Sequence, residues 1–331
     1  MRSAVALAFV AACTAAATPR VFLNIIVDDL GFANFGPRSP NPPENETPRL
    51  TSLASRGVTL TRQYNHYTCT PSRSSFNTGR LPVHVQTTLD NPDYVNAGVP
   101  QNMTTLPRKM ANAGYAPVVF GKWDMGFASY NHTPAGRGYV RSLVYATHMN
   151  NYWSQAIEPT GTSCTNTSIL DLWDGDGPAV GVADRGSYMD DLVLNRSLAA
   201  VADFSAGVFG TKGLFLDVRF HSMHWPLMVD EASFDAFSFV EDDEPGCGYR
   251  FYGDGMWPAG GAAARNFSCR RQYQAMLRNM DARVGAIEDA LVAAGLWADT
   301  LVTFFSDNGG SIDHSENAAS NFPLRGGKYS A

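Results

Sequence analysis

The chain has 331 residues, 44% hydrophobic and 17% charged, which is enough for one large α/β domain or two ordinary ones, and no like-charge run or low-complexity tract points to extended disorder. A net charge of −6 argues against nucleic acid as the main partner, because binding a phosphate backbone normally needs a basic surface. Any anion this protein handles has to be caught by a local group of cations.

Residues 1–17 carry one Arg, then Ala4-Val5-Ala6-Leu7-Ala8-Phe9-Val10, then small residues ending Ala15-Ala16-Ala17. This pattern predicts a secretory signal with an Ala-x-Ala cleavage site, too short and Ala-rich for a good membrane anchor. The expected mature chain follows a secretory route and has no membrane span. N-x-S/T sequons at Asn45, Asn102, Asn131, Asn166, Asn195 and Asn266 are compatible with that route and with glycosylation. Of the five cysteines, Cys13 leaves with the signal, and Cys247 and Cys269 flank a Gly-rich aromatic loop and are expected to close it as a disulfide. Cys164 is then the odd thiol, and Cys69 lies in a motif of its own.

The first strand is predicted at Val21-Phe22-Leu23-Asn24-Ile25-Ile26-Val27, a nearly unbroken apolar run of the kind buried on both faces of a parallel sheet. It ends in Asp28-Asp29-Leu30-Gly31, where a strand end can aim two hard oxygen ligands at one cation, although a solvated turn is the commoner fate of such a sequence. A helix follows from Thr47-Pro48 to Gly57, with Leu50, Leu53 and Ala54 inward, and a short strand from Val58 is expected to lead to Cys69-Thr70-Pro71-Ser72-Arg73. There a cysteine stands at a predicted helix start, where free backbone N–H groups favour an anion and can lower a thiol pKa. From those five residues alone, a buried structural cysteine beside the proline is the favoured reading.

Further along, a helix over 106–113 precedes a strand over 116–120 that ends Gly121-Lys122-Trp123-Asp124-Met125-Gly126. From Asn131 to Asp190 the chain has no clean period and reads as loops and short strands over the sheet. Helical spacing resumes over 188–204, with Leu194, Leu198, Val201 and Ala202 on the inner face. The strand Gly213 to Phe220 runs into His221-Ser222-Met223-His224-Trp225-Pro226, and a long helix from Arg270 to Leu296 buries Tyr273, Met276, Leu277, Met280, Val284, Ile287 and Leu291. A last core strand, Leu301 to Phe305, ends Ser306-Asp307-Asn308-Gly309-Gly310, with Pro323-Leu324-Arg325-Gly326-Gly327-Lys328 beyond it. Asp28, Lys122, His224 and Asp307 all follow predicted strands, and in open α/β sheets the ligand site lies beyond the carboxyl ends of the strands. One site with carboxylates, a histidine, a metal and the cations Arg73, Lys122 and Lys328 suits a small oxyanion ester, sulfate or phosphate.

Cys-x-Pro-x-Arg followed by Thr78-Gly79-Arg80, with the strand-end blocks above, resembles the type I sulfatases of the alkaline-phosphatase superfamily. The wording of Gly295-Leu296-Trp297 and of Pro323 to Lys328 is closest to the arylsulfatase B-like branch. The resemblance implies one catalytic domain over 18–331, secreted or lysosome-like, with a large, mainly parallel sheet flanked by helices; the smaller C-terminal antiparallel subdomain that family members carry beyond the last lysine is expected to be missing, the domain being truncated at its C-terminal end. It implies hydrolysis of aryl or carbohydrate sulfates by a formylglycine made from Cys69 by the formylglycine-generating enzyme. Asp28, Asp29, Asp307, Asn308 and the residue at 69 would then hold a divalent metal, usually calcium. Arg73 would brace residue 69, Lys122 and Lys328 would hold the sulfate from opposite sides, and His224 would protonate the leaving alcohol. His221 matches no motif position and reads as structural. The family's usual wording at 121–126 is Gly-Lys-Trp-His-Leu-Gly, so Asp124 stands where a histidine contacts the formylglycine hydroxyl. That departure leaves room for a catalytically impaired protein that binds sulfated glycans. A phosphoesterase of the same superfamily is disfavoured by Cys69, because such relatives use Ser or Thr.

Overall fold

The computed structural model describes residues 18–41, 43–85, 97–157, 168–183, 186–240, 245–247, 267–312 and 318–330. The predicted signal, Cys164 and the sequons at Asn166 and Asn266 lie outside the described residues, as does the side chain of Cys247 in its expected pairing with Cys269. Among the other sequons, Asn102, Asn131 and Asn195 are exposed, whereas Asn45 is buried with its amide donating to Ser39 Oγ at 2.9 Å.

Among the described residues, seven strands form the main sheet: β1 (Val21–Val27), β2 (Tyr115–Lys122), β3 (Arg141–Tyr145), β4 (Trp173–Asp174), β5 (Gly177–Pro178), β6 (Gly213–Arg219) and β7 (Thr300–Ser306), in the order β7-β1-β6-β2-β3-β4-β5. From β7 to β3 every pairing is parallel, and β4 and β5 add an antiparallel edge. The apolar runs of β1, β2 and β6 are buried almost throughout because helices cover both faces. On one face α4 (Met189–Ser205) and α5 (Cys269–Ala293) pack on each other, and α5 also meets α1 (Pro48–Arg56); α2 (Cys69–Thr78) meets α3 (Leu106–Asn112). All seven apolar residues predicted for the inner face of α5 are buried.

Register explains why the site forms at one edge. Val27 lies opposite Ser306, Ile26 opposite Arg219, Gly121 opposite Arg219 and Lys122 opposite Tyr145, so the parallel strands all end at the same level. The next residues of each strand therefore emerge side by side. Gly121 makes this alignment possible: its φ of +113° lies outside the range for L side chains, and a Cβ there would stand 1.8 Å from the Arg219 carbonyl oxygen. Gly121→Ala is expected to force β2 and β6 apart and cost about 2–3 kcal/mol in denaturant unfolding, from strain and lost packing. A stability unchanged from wild type would refute this account of the sheet.

Three local expectations need correction. No strand starts at Val58: residues 57–68 lie outside the sheet, with Val58 89% and Leu60 65% exposed, because no neighbouring strand offers its backbone a partner. The buried face of α4 is Met189, Asp190, Val193, Ser197, Ala200, Val201 and Phe204, rotated from the centre of the predicted stripe, of which Val201 is buried, Leu194 and Leu198 pack half-buried against the core and Ala202 is exposed. The rotation has a polar cause: Asp190 accepts hydrogen bonds from the backbone N–H groups of His221 and Ser222, at 2.8 and 3.1 Å, and from Ser222 Oγ. Finally, β7 is an edge strand among the described residues and only half-buried, so its Leu301-Val302-Thr303-Phe304-Phe305 run is not a fully covered core strand.

Candidate active site

Cys69 opens α2, which ends at Gly79 in the left-handed conformation that glycine adopts without strain. Its thiol is 2% exposed, and Cys69 is a free cysteine. One turn along α2, the buried Arg73 guanidinium reaches the strand ends. Nε donates to Asp307 Oδ2 at 2.9 Å, one Nη lies 2.8 Å from the same oxygen and 3.6 Å from Asp28 Oδ2, and the other donates to the Lys122 carbonyl at 3.2 Å. The helix is thus tied to β1, β2 and β7 through one side chain.

Asp28 and Asp29 leave β1 in a turn with Asp29 at φ +56°, which sends adjacent carboxylates to different partners. Asp28 Oδ2 accepts from Lys122 Nζ at 2.6 Å; Asp29 Oδ2 accepts from Lys328 Nζ at 2.8 Å, and its Oδ1 accepts from Asn308 Nδ2 at 2.6 Å. Tyr273 of α5 fixes the turn from beneath: its hydroxyl donates to the Asp29 carbonyl at 3.1 Å and accepts from the Gly31 N–H at 3.2 Å. Lys328 is held in reach by Asn321, whose amide accepts from the Gly310 N–H at 2.9 Å and donates to the Gly310 and Gly326 carbonyls at 2.9 and 3.1 Å. No strand-end rule marks Tyr273 or Asn321. The sequence marks the first only as a core residue, and the second belongs to a loop without a pattern.

Oxygens of Asp28, Asp29 and Asp307 lie within 4.8 Å of one another in a buried setting, and so do ligand atoms of Asp28, Cys69 and His224. Crowding the carboxylates has an electrostatic result. Burial and then the neighbouring Asp28 charge push Asp307 up to about 6, against the opposing pull of Arg73. Asp28 Oδ1 and Asn308 Oδ1 are buried and have no hydrogen-bond partner among the described residues. Three hard carboxylates and an amide oxygen, two of them with an orphaned acceptor, are the donor set a divalent cation such as calcium takes, so these residues fit a metal.

His224 lies across this group, with Nε2 3.9 Å from Asp29 Oδ2 and Nδ1 against the Trp225 carbonyl. Burial, then Lys328 and Lys122, hold its imidazole well below the usual histidine range and keep it neutral. His221 faces away into aromatic packing, stacked on Tyr152 at 3.9 Å between ring centroids and 4.8 Å from the Tyr145 ring. Asp124, at the turn after β2 with φ +50°, is fully buried. Its Oδ1 accepts from Thr70 Oγ1 at 2.9 Å and lies 3.1 Å from His148 Nδ1; its Oδ2 is 3.8 Å from Lys122 Nζ. Burial works against ionisation of Asp124, but His148 and Lys122 outweigh it and hold the carboxyl well below the usual range. All ten residues singled out from the sequence are therefore linked in one cluster, and His148 joins it unpredicted.

A family model described as Sulfatase matches residues 20–331. Arylsulfatase J of Mus musculus is 29% identical over 308 residues, covering 92% of this chain and 44% of the mouse protein. Arylsulfatase A of Bos taurus is 28% identical over 324 residues, covering 96% of this chain and 57% of the bovine one. The chain thus spans about half the length of these curated relatives. Among solved structures, Ps i-CgsB superposes with a TM-score of 0.74 at 23% identity, covering 94% of this chain and 62% of that one. The PsFucS1 sulfatase from Pseudoalteromonas sp. gives 0.62 at 21% identity, with coverages of 94% and 59%. These likenesses place the large, mostly parallel sheet and its flanking helices in a known fold.

Proposed function

This chain belongs to the sulfatase family, and from that premise we propose that it hydrolyses sulfate esters of aryl or sugar alcohols at a formylglycine made from Cys69. The observation that carries the reading is the meeting of Cys69, at the start of α2, with the cations Arg73, Lys122 and Lys328 around three carboxylates. Asp28, Asp29, Asp307 and Asn308 would hold a divalent cation, calcium by the chemistry of the donors, with residue 69 beside it. When present, the hydrated aldehyde supplies an oxygen nucleophile and the cation lowers its pKa while offsetting charge on the sulfuryl group.

The protein's own groups divide the remaining work. Lys122 and Lys328 approach from β2 and from the segment after β7, so a sulfate between them is gripped from two sides. Arg73 keeps Asp28 and Asp307 aimed inward and braces residue 69 through the shared helix. His224 hydrogen-bonds the bridging ester oxygen and passes a proton to the leaving alcohol. Burial and the lysines depress its pKa, but an anionic ester seated beside it favours the protonated ring. The sulfated substrate, a secretory route ending outside the cell or in a lysosome-like compartment, glycosylation, and maturation by the formylglycine-generating enzyme belong to the same proposal. No helix among the described residues is long and apolar enough to cross a membrane.

The deciding experiment is mass spectrometry of the peptide containing Cys69 after expression with the formylglycine-generating machinery, followed by assay on a generic aryl sulfate and the matching aryl phosphate. Conversion to the aldehyde and preference for the sulfate are expected. A peptide showing only thiol would remove the enzymatic reading, and an equal or faster rate on the phosphate would make the protein a phosphoesterase. The second reading, sulfated-glycan binding without turnover, is favoured by Asp124; it predicts glycan retention by a protein that carries the aldehyde and releases no sulfate.

A further inference from the structure

His148 lies three residues beyond the end of β3, in a stretch with no sequence period, yet its position is built. Buried Asp171 fixes the turn before it: Oδ1 accepts from the Ala146 N–H at 2.7 Å, and Oδ2 accepts from the Thr147 N–H at 3.0 Å and from Thr147 Oγ1 at 2.5 Å. On the facing strand, the Trp123 N–H donates to the Tyr145 carbonyl at 2.9 Å, which brings the turn after β2 against the turn after β3. The result is a group in which a nitrogen of His148, an oxygen of Asp124 and the sulfur of Cys69 lie within 4.8 Å of one another. Thr70, next to Cys69 on α2, holds the Asp124 oxygen that also faces His148 Nδ1.

Resting on the proposed sulfatase reading, we propose that His148 is the imidazole that contacts the reacting group at residue 69, and that Asp124 is a positioning residue that orients it. The wording that the sequence resembles has an imidazole at 124, in the turn after β2, and here the fold brings one to the same site from the turn after the neighbouring strand β3. The carboxylate is suited to the orienting part. Its Oδ1 is shared by Thr70 and His148 while its Oδ2 faces Lys122 at 3.8 Å, and it sits in the left-handed region that Asp tolerates. The imidazole is suited to the contact: its side chain is 45% exposed at the mouth of the site, so it can meet both residue 69 and an incoming ester.

Two readouts test this. In the unconverted Cys69 protein, histidine side-chain NMR should show the His148 ring resonances moving both in Asp124→Asn and in Cys69→Ala. Absence of either shift overturns the contact, whatever the enzyme does. In the aldehyde-bearing protein, His148→Ala should lower kcat by about 10²- to 10³-fold with KM changed only a few-fold, as loss of one preorganised donor does. Because the position is half-exposed, added imidazole should restore part of the rate. Asp124→Asn should give a loss of similar size, and the double variant should be no slower than the slower single one. Retention of kcat within about threefold in His148→Ala, no rescue by imidazole, or multiplying losses in the double variant would each overturn the proposal. A wild-type protein that carries the aldehyde and calcium yet turns nothing over instead sinks the sulfatase reading, and the NMR result still decides the contact.

Discussion

Asp28→Ala should remove divalent-cation binding and sulfate-ester turnover together and lower stability by about 3–5 kcal/mol, the usual cost of breaking a buried ion pair from one side. Asp28 is completely buried, and its carboxylate is 2.6 Å from Lys122 Nζ and 3.6 Å from an Arg73 nitrogen, both also buried. Truncation leaves two cations facing each other with less countercharge, and it removes one of three carboxylates from the metal group. Calcium should raise the melting temperature of the wild-type protein, because a ligand at 100 times its Kd adds roughly 2.7 kcal/mol, and it should leave the variant unmoved. The pH dependence has a definite sign. Asp307, lifted from 3.8 to about 6, stabilises the metal-free fold fully below its unfolded value and loses that contribution as pH rises through about 6. Calcium competes with that proton, so its stabilising effect should grow across the same interval. Calorimetry and thermal melts decide it: calcium binding retained by Asp28→Ala would place the metal elsewhere.

What could be read from the sequence was whatever a strand end dictates. Asp28, Lys122 and Asp307 were legible because a β-branched or aromatic run followed by a polar turn marks both the strand and the edge where it stops, and parallel strands put those edges together. His148 was not legible, because its place depends on the register of β3 against β2 and on the Asp171 anchor, neither of which leaves a period in the chain. Asp190 shows the limit of amphipathic reading. A carboxylate counts as polar in any helical pattern, and only the loop from His221 to Ser222, far off in sequence, gives it a buried use. Val58 failed for the opposite reason: its residue types favour a strand, and the fold provides no partner for one.

Beneath the site, Asp217→Ala should cost about 3–5 kcal/mol, because it strands a fully buried guanidinium. Asp217 and Arg219 face the same side of β6, two residues apart, with 2.7 Å between Arg219 Nη2 and Asp217 Oδ2. The Tyr139 hydroxyl donates to the same oxygen at 2.6 Å, Asn24 Nδ2 donates to Oδ1 at 2.8 Å, and Thr303 Oγ1 donates to Asn24 at 2.7 Å. This chain of bonds crosses β6, β1 and β7, three strands that deliver His224, Asp28 and Asp307. At roughly 2–4 °C per kcal/mol for a chain near this size, the melting temperature should fall by about 10 °C. Asp217→Asn keeps the shape and some hydrogen bonds but not the charge, so its loss should be intermediate. The pairing account makes a sharper demand: Asp217→Leu combined with Arg219→Met removes both charges and should recover most of the stability lost by Asp217→Ala, since apolar replacement of a whole buried pair is often neutral or better. A double variant as unstable as the single would show that the network, and not the stranded Arg219 charge, holds these strands in register.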